Sequence, residues 1–234
     1  MCGRKTLTIT KNSIVKKLKV DEWKIRDYRP SYNICPTQYS PVLIMKEKKR
    51  IVRSMKWGLI PEWSKNDSFS SKMINARAET LSEKPSFKNL IHRRRCVVLA
   101  DGYFEWKRVN REKIPYYINP SNEPLFLMAG LWTIWRSDTS FVQTYTIITI
   151  PATNIIAHIH HRMPLILCPS KVNKWIDCEK YYHIEIDKSL ENSKLNLSQA
   201  REGEYVNNAS NNSAKCIEPN VGSKSLKQSV QTKI

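Results

Sequence analysis

Apolar positions near the start of the chain recur at helical spacing. Ile14, Val15 and Leu18 share one face of residues 11–20, with lysines around them. That period predicts a short amphipathic helix packed on the core. Farther on, the pattern changes to short apolar runs of strand length. Residues 42–45 and 51–55 are two such runs, joined by the charged turn Lys46-Glu47-Lys48-Lys49. Residues 96–100, 116–118, 125–131, 145–150 and 165–167 predict further strands. In residues 103–107 strict alternation places Tyr103, Glu105 and Lys107 on one face, and Phe104 and Trp106 on the other.

Between these runs lie the breakers. Pro30-Ser31-Tyr32-Asn33, followed by Pro36 and Pro41, is a turn-rich connection. Residues 64–71 are polar and serine-rich, and predict a mobile loop. Residues 87–94 predict a short helix that runs into Arg93-Arg94-Arg95, residues 136–140 a short polar connector, and residues 172–176 a helical turn. From Asn207 the chain becomes rich in asparagine and serine, and residues 221–234 are expected to be disordered. Many short strands with few helices and no βαβ alternation favour the α+β class, with mostly antiparallel strands curling toward a barrel. The expected organisation is one domain over residues 2–220 and a basic tail over 221–234.

Composition narrows the class. With 234 residues, 41% hydrophobic and 26% charged, the chain has the make-up of a soluble globular protein with ample core. No apolar run is long enough to span a membrane. The cysteines at 2, 35, 96, 168, 178 and 216 are scattered without zinc-type spacing, so no metal or other cofactor is expected. Reduced thiols point to cytosol or nucleus. A formal net charge of +18 favours a polyanionic partner.

The candidate chemistry begins at Met1-Cys2-Gly3-Arg4. Once Met1 is removed, Cys2 carries an α-amine and a thiol on adjacent carbons. Such an aminothiol attacks an aldehyde through nitrogen and then closes through sulfur to a thiazolidine. The two nucleophiles ordinarily titrate at about 8 and about 8.5, so a nearby proton acceptor can activate either. The plain alternative is a small residue on a frayed terminus. Glu105, among aromatic residues, is a candidate for a carboxyl of raised pKa, or else a solvated partner of Lys107. The stretch Trp57-Gly58-Leu59-Ile60-Pro61-Glu62-Trp63 offers one tryptophan for the core and one as a stacking platform. His158 and His160 share a face if their segment is extended, and a proton-transferring histidine beside Arg162 fits better than a metal site.

Taken together and in order, Met1-Cys2-Gly3-Arg4, Asn75-Ala76-Arg77-Ala78-Glu79-Thr80, Gly102-Tyr103-Phe104-Glu105-Trp106 and His160-His161-Arg162-Met163-Pro164 resemble the SRAP (SOS-response-associated peptidase) family. The doubled histidine and Asn211-Asn212 look more like its eukaryotic members than its bacterial ones. The resemblance implies action on abasic sites in single-stranded DNA, junctions with duplex included, by a monomer whose Met1 is removed either by its own thiol or by an ordinary methionine aminopeptidase. It implies Cys2 as the covalent residue, Asn75 as its holder, Glu105 as a proton carrier and His160 as the group acting on the sugar oxygen. It further implies Arg4, Arg77 and Arg162 as phosphate contacts, and Trp63 and Trp106 are the stacking candidates. Location would be nuclear in a eukaryote and cytosolic in a prokaryote. No sliding-clamp motif is visible in residues 224–234. Three alternatives stay open: a non-covalent reader of damaged DNA, an N-terminal-nucleophile amidohydrolase, which also begins Met-Cys-Gly, and a cysteine protease acting on other proteins through Cys2 and His160.

Overall fold

The computed structural model describes residues 2–137, 141–186, 190–191 and 196–219. The chain runs β1 (Arg4–Leu7), α1 (Lys11–Leu18), β2 (Glu22–Trp23), β3 (Ser31–Ile34), β4 (Tyr39–Lys46), β5 (Lys49–Trp57), β6 (Asn75–Arg77), α2 (Leu90–Arg93), β7 (Arg95–Ala100), β8 (Gly102–Val109), β9 (Glu112–Pro120), β10 (Phe126–Arg136), β11 (Phe141–Pro151), α3 (Asn154–Ala157), β12 (Arg162–Pro164), α4 (Val172–Ile176) and β13 (Leu197–Arg201).

Local sequence explains the clearest elements. Helix α1 starts where the Thr10 hydroxyl accepts from the Ser13 N–H at 3.3 Å, and it stops at Lys19 in the left-handed region (φ 48). Its buried stripe is Ile14 and Leu18, as the spacing predicts. The β4–β5 hairpin turns on Glu47 (φ 51) and Lys48 (φ 60), both in the conformation a two-residue type I′ turn requires.

One sheet closes on itself. Its strands run β11-β10-β7-β4-β5, and a parallel pairing of β5 with β11 (Tyr145 beside Trp57) joins the ends into a five-stranded barrel. Closure removes the free edges of those five strands and buries all six residues of β7. Beyond the seam, β6 pairs in parallel with β11 (Asn75 opposite Ile147), and β12 pairs with the other edge (Arg162 opposite Pro151). A second, open sheet has the order β13-β9-β8-β1-β3. Only Asp101 separates β7 from β8, so the chain bends there from barrel into second sheet. Asp101 fixes the bend by accepting from the Thr6 hydroxyl and from the Thr8 N–H and hydroxyl. Gly102 is required beside it, since a Cβ there would stand 2.2 Å from the Tyr117 hydroxyl.

The structure changes several expectations. Residues 64–71, expected to be a mobile loop, are anchored at Ser64 and Ser70, while Lys65 to Ser68 and Ser71 stay exposed. The Trp135 indole donates to the Ser64 carbonyl at 2.8 Å, and Ser70 is buried over Gly58, whose φ of +119 and contact with the Ser70 carbonyl admit no side chain. Residues 165–167 do not form a full strand: Ile166 and Leu167 make isolated bridges, and the ladder is at β12. Residues 157–160 are not extended, because α3 occupies 154–157 and a turn follows. His158 therefore leaves the His160 face and meets the Tyr116 ring edge-on at 6.4 Å. Arg95, the end of the basic run, is a core residue whose guanidinium donates to the carbonyls of Ile91, Trp175, Asp177 and Tyr181. Strands β1, β2, β3, β6 and β13 have no sequence signal strong enough to predict them. Residues 138–140 of the polar connector and the tail from 220 onward lie outside the described residues.

Candidate active site

The two sheets each contribute half of the site. Cys2 precedes β1 and Glu105 lies on β8, both from the open sheet; Asn75 opens β6 and His160 precedes β12, both attached to β11 of the barrel. Cys2 is fully buried, and the Asn75 side-chain amide donates to its carbonyl at 2.8 Å. The other end of that amide, Oδ1, is buried with no hydrogen-bond partner among the described residues. A holder that grips the Cys2 backbone and keeps one acceptor unused has room for one more donor.

Burial pushes the Cys2 thiol up to about 12, the Glu105 charge adds to the rise, and Lys5 opposes it. Burial likewise raises the Glu105 carboxyl above the ordinary carboxylate range. Glu105 is only 4% exposed and shares its face of β8 with Tyr103, as the alternation predicts. The Tyr103 hydroxyl is buried too, without a partner among the described residues. On His160, burial lowers the imidazole below its usual value, with the His161 and Arg162 charges acting in the same direction. The His160 Nδ1 receives the Arg162 backbone N–H at 3.0 Å, and its ring stacks on His161 at 4.4 Å. A neutral imidazole that accepts at Nδ1 carries its proton on Nε2.

The arginines divide. The Arg162 fork is taken by Glu79, with contacts of 2.6 and 2.8 Å, and by the Thr149 carbonyl. Expected on phosphate, this guanidinium instead ties β12 to the residues after β6, holding His160 and Asn75 in register. Arg4 donates to Asn33 Oδ1 at 2.9 Å and to the Val206 carbonyl at 2.8 Å, and lies 6.0 Å from the Trp106 ring centroid. Arg77 ends β6 in solvent. Trp63 is 58% exposed, edge-on to Phe69 at 5.3 Å. Trp106 points to the sheet face away from Glu105 and donates to Asn207 Oδ1 at 2.8 Å. The structure therefore brings Cys2, Asn75, Glu105 and His160 to one junction, and sets Trp106 on the opposite face of the sheet from Glu105.

Sequence reasoning missed Lys5. It is completely buried, donates to the Leu99 carbonyl at 3.0 Å, and burial lowers its amine to about 7, against the opposing pull of Cys2 and Asp101. A lysine among many lysines gives no signal until the strand pairing puts it inside. Among the described residues no group of three or more His, Cys, Asp or Glu could hold a metal ion, and no helix is long and apolar enough to cross a membrane.

Residues 1–209 match the family model described as SOS response associated peptidase (SRAP). The chain is 36% identical over 222 residues to the abasic site processing protein YoqW of Bacillus subtilis, covering 93% of this chain and 99% of that one. It is 33% identical over 262 residues to the abasic site processing protein HMCES of Xenopus tropicalis, covering 93% and 78%. Bacterial and vertebrate relatives thus match at similar identity, and the eukaryotic lean of the doubled histidine does not extend to the whole chain. A crystal structure of a Bacteroides thetaiotaomicron protein, 23% identical, shares the fold with a TM-score of 0.78 over 94% of this chain and all of that one.

Proposed function

The chain belongs to the SRAP family, and from that premise we propose that it captures abasic sites in single-stranded DNA as a covalent crosslink through Cys2. The observation that carries the reading is the Asn75 amide on the Cys2 carbonyl, which fixes the residue at the meeting point of two carriers of protons. Once Met1 is removed, the Cys2 amine attacks the sugar aldehyde to give a carbinolamine. A proton from the Glu105 carboxyl lets that adduct expel water and form the imine. The thiol then adds to the imine carbon and its proton passes to the imine nitrogen, closing a thiazolidine with net loss of one water. His160, protonated on Nε2, donates to the sugar oxygen during ring opening. The buried thiol, which burial pushes up to about 12, supports nitrogen as the first nucleophile in this reading.

The same thiol is proposed to release Met1. Attack on the preceding carbonyl transfers the methionyl group to sulfur, and hydrolysis of that thioester frees methionine and the Cys2 amine. For the DNA, exposed Arg77 beside Asn75 is the phosphate contact, and Trp63 offers a stacking face of about 1–3 kcal/mol per base. Arg4 and Arg162 act by positioning.

The test is a denaturing gel of the protein with a single-stranded oligonucleotide carrying one abasic site, beside Cys2→Ala. A heat-stable shifted band that needs both Cys2 and the lesion is expected, with an adduct mass one water below the sum. Intact mass of the free protein reports whether Met1 is gone. No band from protein with a confirmed free Cys2 amine would falsify the crosslinking reading.

A further inference from the structure

Away from the Cys2 junction, Glu202 is a buried acid whose carboxyl has no partner among the described residues. Glu202 follows β13, its backbone N–H donates to the Pro115 carbonyl at 2.9 Å, and it bridges to Pro219. The residue is 2% exposed, yet neither carboxyl oxygen has a hydrogen-bond partner among the described residues. Asp101, by contrast, is fully occupied by Thr6 and Thr8. A carboxyl taken out of water with both oxygens unmet is costly unless something supplies donors. Beside it lies a groove of about 350 Å³ lined by Glu112, Lys113, Ile114, Pro115, Arg201 and Glu204 as well as Glu202. Pro115 pairs with Trp106 on the face away from Glu105, while Glu112, Ile114 and Arg201 alternate onto the other face, so the groove wraps the β9–β13 end of the open sheet, at the edge far from β1.

The chemistry of the lining selects the ligand. Three carboxylates against two cations make a locally acidic spot on a chain of formal net charge +18. Phosphate is repelled there, and no set of metal ligands is formed among the described residues. A primary ammonium brings three N–H donors, enough for both Glu202 oxygens. Methylene spacers can lie on Ile114 and Pro115, and a further ammonium can reach Glu112 or Glu204. We propose that the Glu202 groove binds a small organic polyammonium ion, a linear polyamine, at a site separate from the crosslinking centre.

Ionisation sets its pH dependence. Burial raises the empty carboxyl to about 7. The groups that face it are the Tyr117 hydroxyl from β9, itself pushed up by burial, and Glu112, Lys113, Arg201 and Glu204 along the groove. An ammonium binds the ionised form, so complex formation below this pKa releases a proton. Affinity should fall about tenfold from about pH 8 to about pH 6.

The experiment is calorimetric titration of the whole chain with spermidine at both pH values, with tetramethylammonium as a cation that lacks N–H donors. Saturable spermidine binding that weakens about tenfold at the lower pH and is lost in Glu202→Gln supports the site. Three results overturn it: no saturable binding, unchanged binding in Glu202→Gln, or equal binding of tetramethylammonium. Should Glu202→Gln fail to fold by circular dichroism, Ile114→Trp, which fills the groove from a half-exposed position, takes its place with the same outcomes. DNA crosslinking by either variant should stay at the wild-type level, which separates this site from the reaction at Cys2.

Discussion

At Cys2 and Glu105 the two charges that chemistry needs are also the two that disfavour each other. The carboxylate raises the thiol, so replacing it has opposite effects on two readouts. In Glu105→Gln the thiolate becomes easier to form, and alkylation of Cys2 by iodoacetamide at a fixed alkaline pH should speed up. Crosslinking to an abasic oligonucleotide should slow by about 10²–10⁴-fold, the usual loss for a missing proton carrier. Alkylation that slows together with crosslinking would show that Glu105 only supports the fold. The sign for Lys5 is the reverse. Its ammonium favours the thiolate, and Lys5→Met should slow alkylation most below the pH at which that amine, lowered to about 7, gives up its charge.

At the level of elements, the C-terminal segment after β13 closes the open sheet. Val206 and Cys216 bury Phe104, and Asn33 on β3 donates from one amide to the carbonyls of Val206, Asn208 and Asn211 at 3.3, 3.1 and 2.8 Å. Arg4 adds a second tie to Val206. Removing the Asn33 side chain leaves buried carbonyls unmet. Asn33→Ala should therefore cost about 2–4 kcal/mol in denaturant unfolding and raise hydrogen exchange across residues 204–217. The two strands that bring Asn75 and His160 to the site are three residues each, and are held by β11 and by the Arg162–Glu79 fork rather than by length. Short segments of this kind have no periodicity to read, which is why β6 and β12 are visible only through their pairing.

For the whole molecule, the surplus of positive charge acts through the salt dependence of DNA binding. Each phosphate contact to a single strand should add about −0.7 to the logarithmic salt slope. Arg77→Ala should flatten that slope by about 0.7 in fluorescence anisotropy with Cys2→Ala protein, where no crosslink intervenes. An unchanged slope would remove Arg77 from the DNA surface. Much of the basic charge lies elsewhere, and Arg95 shows that a triplet of arginines can end inside the core.

Sequence alone determined the strand-rich α+β class, helix α1, the β4–β5 turn and the strands β7 to β11, because alternation and turn chemistry are local properties. It also determined the family, since the short blocks around Cys2, Asn75, Glu105 and His160 stand in an order that identifies it, and those four residues are the reactive set proposed here. Tertiary structure decided what depends on distance across the chain. It closed the barrel through the β5–β11 seam, folded the His158 turn away from His160, and turned Arg162 onto Glu79. It buried Lys5 beside the thiol and left Glu202 with two unmet oxygens over a groove. Burial, pairing and desolvation arise only when remote segments meet, and none of them is written in the neighbours of a residue along the chain.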